Sequence, residues 1–248
     1  MEASEKRKLE REHQSESRRD EIIAAAVKEF VSSGIENTRI TDIARRAEVG
    51  PATVYRYFET KPNLVVECAT KLWNGEMTDL APLINTAKEE GKTGLEHVRA
   101  LLGVMGELYD KCPEWLRLLE QFDNYIVREN VPREQLAGYE QSIFKTQALM
   151  IEAIKQGQED GTIRPDVDGK SFCVTATHTI TALSQKLLLR GYVVKSDSEL
   201  DAKTEIDTLI EMALRYLSAD AGGDDNGIRT GNDHLQRGRR TPQHGVFR

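Results

Sequence analysis

The sequence predicts an all-α protein of about nine helices, with a small three-helix unit near the N-terminus and a larger helical domain after it. Three observations carry that reading. Apolar residues recur at i, i+3, i+4 and i+7 in one segment after another. Glycine and proline punctuate the gaps between these segments, at Gly34, Gly50-Pro51, Gly91, Pro113, Pro132, Gly161 with Pro165, and Gly191. No stretch alternates apolar and polar residues with β-branched enrichment, so strands are expected to be absent or trivial. A chain of 248 residues is long enough to bury a substantial core in one large or two small domains.

Residues 1–16 alternate in charge with almost no apolar content and are expected to form a flexible arm. Their basic residues Lys6, Arg7, Lys8 and Arg11 are offset by acids. The first helix expected from periodicity spans about Ser17 to Ser33, where Ile22, Ile23, Ala26, Val27, Phe30 and Val31 make one wide stripe and Gly34 supplies a stop. Two short helices follow within Thr38–Lys61. Ile40, Ile43, Ala44 and Ala47 have the spacing of one buried face, and Thr38 is placed to cap the first of them. Gly50-Pro51 suits the opening of the second, since proline at the first helical position has no amide to satisfy. At about 100° per residue Val54 and Phe58 turn inward. Ala52, Thr53 and Arg56 turn outward, flanked by Tyr55 and Tyr57. A small residue, a hydroxyl, a guanidinium and two phenols on one exposed helix are the equipment for reading a major groove and touching phosphates.

The order Thr38…Ile43-Ala44…Ala47-x-Val49…Thr53-Val54-Tyr55-x-Tyr57-Phe58…Lys61 resembles the N-terminal domain of the TetR family of bacterial transcriptional regulators, over about Arg18 to Val65. Two positions depart from the commonest pattern. Glu48 stands where a glycine usually forms the turn, and Gly50-Pro51 replaces a Ser-Lys or Ser-Arg pair. The resemblance implies a helix-turn-helix DNA-binding domain over residues 17–61, with Tyr55, Tyr57 and Lys61 on phosphates, Ala52, Thr53 and Arg56 toward bases, and Thr41 and Arg45 near the backbone. It also implies a small-molecule pocket in residues 62–218, for which Trp73, Met105, Tyr109, Trp115, Phe122, Tyr125, Phe144, Phe172 and His178 are candidates. Any single aromatic or methionine at helical spacing is more often core than ligand contact, and His178 is read first as a hydrogen-bonded interior histidine.

The later helices are read from their periodicity. Thr60 caps a helix beginning at Lys61-Pro62 and carrying Leu64, Val65, Cys68, Leu72 and Trp73. With only Glu59 and Thr60 before it, this helix is expected to transmit motion from a ligand near Leu72, Trp73 and Met77 to the reading unit. Residues 169–190 are apolar or small on most faces, and Ile206, Leu209, Ile210, Ala213, Leu214 and Leu217 form the next stripe. A second copy of the chain would bury the excess, making a four-helix bundle across a twofold axis, as the resemblance also implies. Thr179, Leu183, Leu187, Ile206, Leu209 and Ala213 are the expected interface residues. Residues 219–248, rich in Gly, Asp, Asn and Arg, are expected to be a disordered tail.

Net charge narrows the function. The chain carries −7 overall, but residues 1–61 balance and residues 62–218 hold −8, so the acidity lies away from the helix pair. A DNA binder with a few well-aimed cations is compatible with that distribution. Cys68, Cys112 and Cys173 are odd in number and far apart, without disulfide or zinc spacing, which fits a reducing cytoplasm. No membrane span or signal peptide is expected. The usual phosphate-loop, nucleophile-elbow and metalloprotease motifs are missing, so the chain is not expected to be an enzyme or to hold a cofactor or metal. The expected activity is that of a ligand-modulated, homodimeric transcriptional regulator, most often a repressor, on a pseudo-palindromic operator. The alternative is an adaptor that keeps the fold but binds another protein.

Overall fold

The computed structural model describes residues 3–79, 92–191, 193–195 and 199–219, without the side chains of residues 3, 4 and 76–79. The expected tail beyond Ala219 and the side chain of Met77 lie outside the described residues. Nine α-helices are described: α1 (Ala3–Ser33), α2 (Ile40–Arg46), α3 (Pro51–Phe58), α4 (Lys61–Asp79), α5 (Gly94–Lys111), α6 (Pro113–Arg128), α7 (Ala137–Glu159), α8 (Gly169–Arg190) and α9 (Ala202–Leu217). A short 3₁₀ turn, Arg133–Leu136, leads into α7. Among the described residues the only β-type pairing is one isolated bridge between Ile163 and Ser218.

The expected flexible arm is instead the first four turns of α1. Residues 3–16 contain neither Gly nor Pro and are rich in Glu, Lys and Arg, all strong helix formers. Lys8 and Glu12 form an i,i+4 pair at 3.9 Å. The buried stripe of Ile22, Ile23, Ala26 and Phe30 nucleates the helix, and extending it toward the N-terminus then costs little.

Thr38 does not cap α2 as expected. Arg39 holds the N-cap position without a side-chain bond. Thr38 is buried, and its hydroxyl donates back to the Gly34 carbonyl at 2.7 Å, with the Glu29 carbonyl at 3.2 Å. It ties the start of α2 to the end of α1, where Gly34 takes φ +83°. Glu48 takes φ +55° in the turn after α2. Its N–H bonds the Arg45 carbonyl at 3.2 Å and that of Val49 bonds the Ala44 carbonyl at 2.9 Å, so the helix ends in a Schellman motif with glutamate at the left-handed position. Gly50 and Pro51 open α3 as expected.

Two cores divide the molecule. The first gathers α1–α4 with α6: Phe30, Ile43, Val54, Phe58, Leu64, Leu116 and Phe122 belong to one buried cluster. The three-helix unit therefore shares its core with the body, since a unit that small buries little by itself. The second core joins α5, α7, α8 and α9 through Val98, Leu102, Ile154, Cys173, Ile180, Ile206 and Leu214. Side-chain caps fix three of these helices: Thr93 and Glu96 form a capping box on α5, Asp168 accepts from Ser171 N–H on α8, and Asp201 from Thr204 N–H on α9.

Two expected interface residues are internal. Ile206 is fully buried and Leu187 nearly so, both in the second core of their own chain. Periodicity identifies an apolar face but not the helix that covers it. Leu183, Leu209 and Ala213 are half-buried and Thr179 is exposed. Phe172 stacks on Tyr216 at 6.2 Å where α8 meets α9. Thr179, Leu183, Leu209 and the exposed Met212 and Tyr216 thereby border one surface.

Candidate functional site

The outward face of α3 is built by its own inward face. Val54 and Phe58 are buried, so Ala52, Tyr55 and Arg56 are exposed, with Thr53 and Tyr57 at the margins. Tyr55 is half exposed although aromatic. Arg56 lies over the Tyr57 ring at 5.2 Å. On α2, Thr41 and Arg45 are exposed, and Arg45 is turned to Asp42 at 2.7 Å. That exposed pair is held weakly enough to open toward a phosphate.

The long α1 adds a wall to this face. Arg11, Gln14, Ser15 and Arg18 line one polar groove with Thr53, Arg56 and Tyr57. Helical spacing puts Arg7, Arg11 and Arg18 on one side of α1 and Glu5, Glu12, Glu16 and Asp20 on another. Glu21 and, from the turn after α2, Glu48 line the same groove, so these basic residues stand beside α3 with acids among them. Arg18 pairs with Glu21 at 2.7 Å, whereas Arg7 and Arg11 make no ion pair among the described residues.

Lys61 occupies a different place from an open phosphate contact. Its Nζ donates to the Glu36 carbonyl at 3.2 Å and lies 5.7 Å from the centre of the Tyr125 ring. Burial lowers its pKa, opposed by the Glu129 carboxylate. It belongs to a fastening between the α1–α2 loop and α6. There Gln121 Oε1 accepts from Ile35 N–H at 2.9 Å, and Arg128 pairs with Glu36. The α3–α4 joint is equally short. Glu59 has φ +61° and ψ −49°, and Thr60 N–H bonds the Phe58 carbonyl at 2.6 Å, a γ-turn that stores strain. Thr60 Oγ1 then accepts from Asn63 N–H, as its expected capping role requires.

A cavity of about 360 Å³ lies between α4, α5, α6, α7 and α8. Of the nine expected pocket residues, Trp73, Met105, Trp115 and His178 line it. The other five do not. Phe122 is buried against Tyr139, with centroids 4.9 Å apart. Tyr125 is buried at the α6 fastening, where burial raises its pKa to about 12. Tyr109 packs against the second core, Phe172 stacks on Tyr216, and Phe144 is 59% exposed. His178 is exposed rather than interior, at the rim where the cavity meets the outer face of α8. Periodicity did not single out Asp123, Tyr139, Thr146, Gln147, Thr177 and Gln185, which also line the space. One signal was present: Trp115, Leu119 and Asp123 follow at i, i+4 and i+8 on α6, and all three face the cavity. Asp123 is reached by solvent yet ringed by protein. Desolvation, reinforced by Glu120 and opposed by His178, pushes its pKa to about 6.

Residues 22–68, which run from the α1 stripe through α3 into α4, match the family described as bacterial regulatory proteins, tetR family. The chain carries the N-terminal domain of the TetR family. It is 25% identical over 215 residues to the probable acrEF/envCD operon repressor of Escherichia coli (strain K12), covering 82% of this chain and 87% of that one. It is 26% identical over 222 residues to the transcriptional repressor NicS of Pseudomonas putida, covering 84% and 95%. The fold is shared with the Bacillus subtilis regulator FadR in complex with stearoyl-CoA, with a TM-score of 0.54 and 17% identity over 79% of this chain and 97% of that one. No described helix is long and apolar enough to cross a membrane. Cys68 is buried, and burial raises its thiol pKa; that of Cys173 rises to about 11 for the same reason, so neither is a ready nucleophile.

Proposed function

We propose that this chain is a homodimeric repressor whose hold on a pseudo-palindromic operator is set by a small molecule in the α4–α8 cavity. The observation that carries the reading is the outward face of α3, where Ala52, Tyr55 and Arg56 stand exposed on a helix fixed from behind by Val54 and Phe58. Repression is supported by the names of the curated relatives, and effector binding by the stearoyl-CoA complex of a protein with the same fold. Arg56 reads bases, Tyr55 and Tyr57 hold phosphates, and Arg7 and Arg11 of α1 lengthen the phosphate track. The shared face of α8 and α9, with Leu183, Leu209, Met212 and Tyr216, pairs with its copy and sets the spacing of the two α3 helices.

Coupling runs by two routes. One is α4, with Trp73 at the cavity and a strained two-residue joint at the DNA-reading unit. The other is α6, which has two working faces: Trp115, Leu119 and Asp123 meet the cavity, while Gln121, Tyr125 and Arg128 grip residues 35–36 and Lys61. A ligand that shifts α6 therefore pulls on the reading unit directly. The coupling is reciprocal and typically worth about 1–3 kcal/mol.

The test begins with duplexes selected by the protein from a random pool, their binding then measured by fluorescence anisotropy against salt. Arg56→Ala is expected to cost about 1–3 kcal/mol and to relax preference at one base position per half-site. Arg11→Ala is expected to weaken all sequences alike and to flatten the log K against log salt slope by about 1 for each phosphate left without its cation. Recovery of no preferred sequence, or parental binding by Arg56→Ala, would overturn the reading.

A further inference from the structure

The charge of the cavity lining is one-sided. Among the described residues no lysine or arginine lines it, and Asp123 is the one carboxylate that does. Asp123 makes no hydrogen bond or ion pair among the described residues, and the nearest charged influence on it besides His178 is the like charge of Glu120. A partly enclosed carboxylate with no lysine or arginine beside it among the described residues, and only His178 to oppose its charge, is an incomplete ion pair.

Beside it stands an aromatic wall. The rings of Trp73 and Trp115 are 5.4 Å apart, and those of Trp73 and Tyr139 are 5.9 Å apart at 82°. Trp73 Nε1 is already committed to Thr146 Oγ1 at 3.3 Å, so this indole offers its face rather than its N–H. The remaining walls are mainly Leu101, Met105, Leu108 and Met150. Ring faces attract cations, and aliphatic walls take an apolar body.

We infer that the cavity takes a lipophilic organic cation, with its apolar body among the aromatic and aliphatic walls and its positive charge against the Asp123 carboxylate. The inference rests on the reading of this cavity as the effector site and names the class of effector. An anionic ligand such as a carboxylate would meet Asp123 with no lysine or arginine among the described residues to receive it. A neutral ligand would fill the space but leave Asp123 unpaired.

The molecule contains its own reporter. Its only two tryptophans, Trp73 and Trp115, both line the cavity, so intrinsic fluorescence reads occupancy there. Octyltrimethylammonium, 1-octanol and octanoate, alike in body and different in charge, are titrated into the full-length protein alone and bound to its selected duplex. The cation is expected to bind at least about tenfold more tightly than either of the others. Asp123→Asn, which keeps the shape, is expected to weaken the cation about tenfold and leave octanol unchanged. Thermal unfolding of the variant verifies that it is folded. Equal or tighter binding of octanol or octanoate, no fluorescence response to the cation, or unchanged cation affinity in Asp123→Asn overturns the inference. Asp123-dependent cation binding that leaves DNA affinity unchanged would sustain the ligand class while removing the effector role. Release of DNA by octanoate or octanol, but not by the cation, would do the reverse.

Discussion

The DNA-reading unit and the cavity-bearing body are both helical, but their functional surfaces are made in opposite ways. In the unit, one short helix buries Val54 and Phe58 and so exposes Ala52, Tyr55 and Arg56. The site is the back of a core and is fixed by spacing within eight residues. In the body, the cavity is assembled from α4, α5, α6, α7 and α8, and its lining residues run from Trp73 to Gln185. That site is a gap left between cores and depends on how five helices approach one another. The unit therefore tolerates local change that the body does not, while the body holds the group whose ionisation responds to its surroundings.

The largest expected effect probes helix approach. A Cβ on Gly94 would lie 2.0 Å from the Gly157 nitrogen and 2.6 Å from the Ala153 carbonyl oxygen, and neither backbone atom can swing aside. Gly94→Ala is expected to cost about 3 kcal/mol or more, lowering the melting temperature by about 6–12 °C. In the unit, a Cβ on Gly50 meets nothing within 4 Å, and Gly50→Ala is expected to stay within about 0.5 kcal/mol. Thermal denaturation followed by circular dichroism compares the two. Similar shifts would remove the contrast between the regions.

Assembly comes next. Met212 is 62% exposed in the single chain, so Met212→Asp is expected to leave its fold intact and to place a desolvated carboxylate in the paired α8–α9 face. Sedimentation is expected to show monomers, with operator affinity falling at least about tenfold because one half-site is lost. A dimer that persists at micromolar concentration would move the interface elsewhere.

The smallest effect sharpens the electrostatic side. The folded pKa of Asp123, about 6, is above the usual carboxylate value. Between those two values the folded state binds more protons than the unfolded one, so stability falls as pH rises through that window. Asp123→Asn removes this loss. The variant is expected to match the parent near about pH 3.5 and to melt about 1–3 °C higher at about pH 7.5, a modest gain because solvent reaches the carboxylate. A melting difference that does not change with pH would mean that Asp123 titrates normally.

What the sequence determined by itself is what lies within a few residues along one helix. The burial of Ile43, Val54 and Phe58, the turn at Glu48, the opening at Gly50-Pro51 and the exposure of Arg56 all follow from 3.6-residue periodicity and backbone chemistry. The same periodicity found the apolar faces of α8 and α9. It could not assign Ile206 and Leu187 to the chain's own core, because it carries no information about which helix lies opposite. The α1 extension needed the helix below it to be nucleated before Arg11 and Arg18 came to stand beside α3. The cavity was the least legible. Trp73 and Phe144 are both aromatic residues on periodic helices, yet one lines the space and the other faces solvent. Only tertiary structure decided between them, and only it left Asp123 with no lysine or arginine among the described residues of the lining, because a gap between helices depends on distances no single helix encodes.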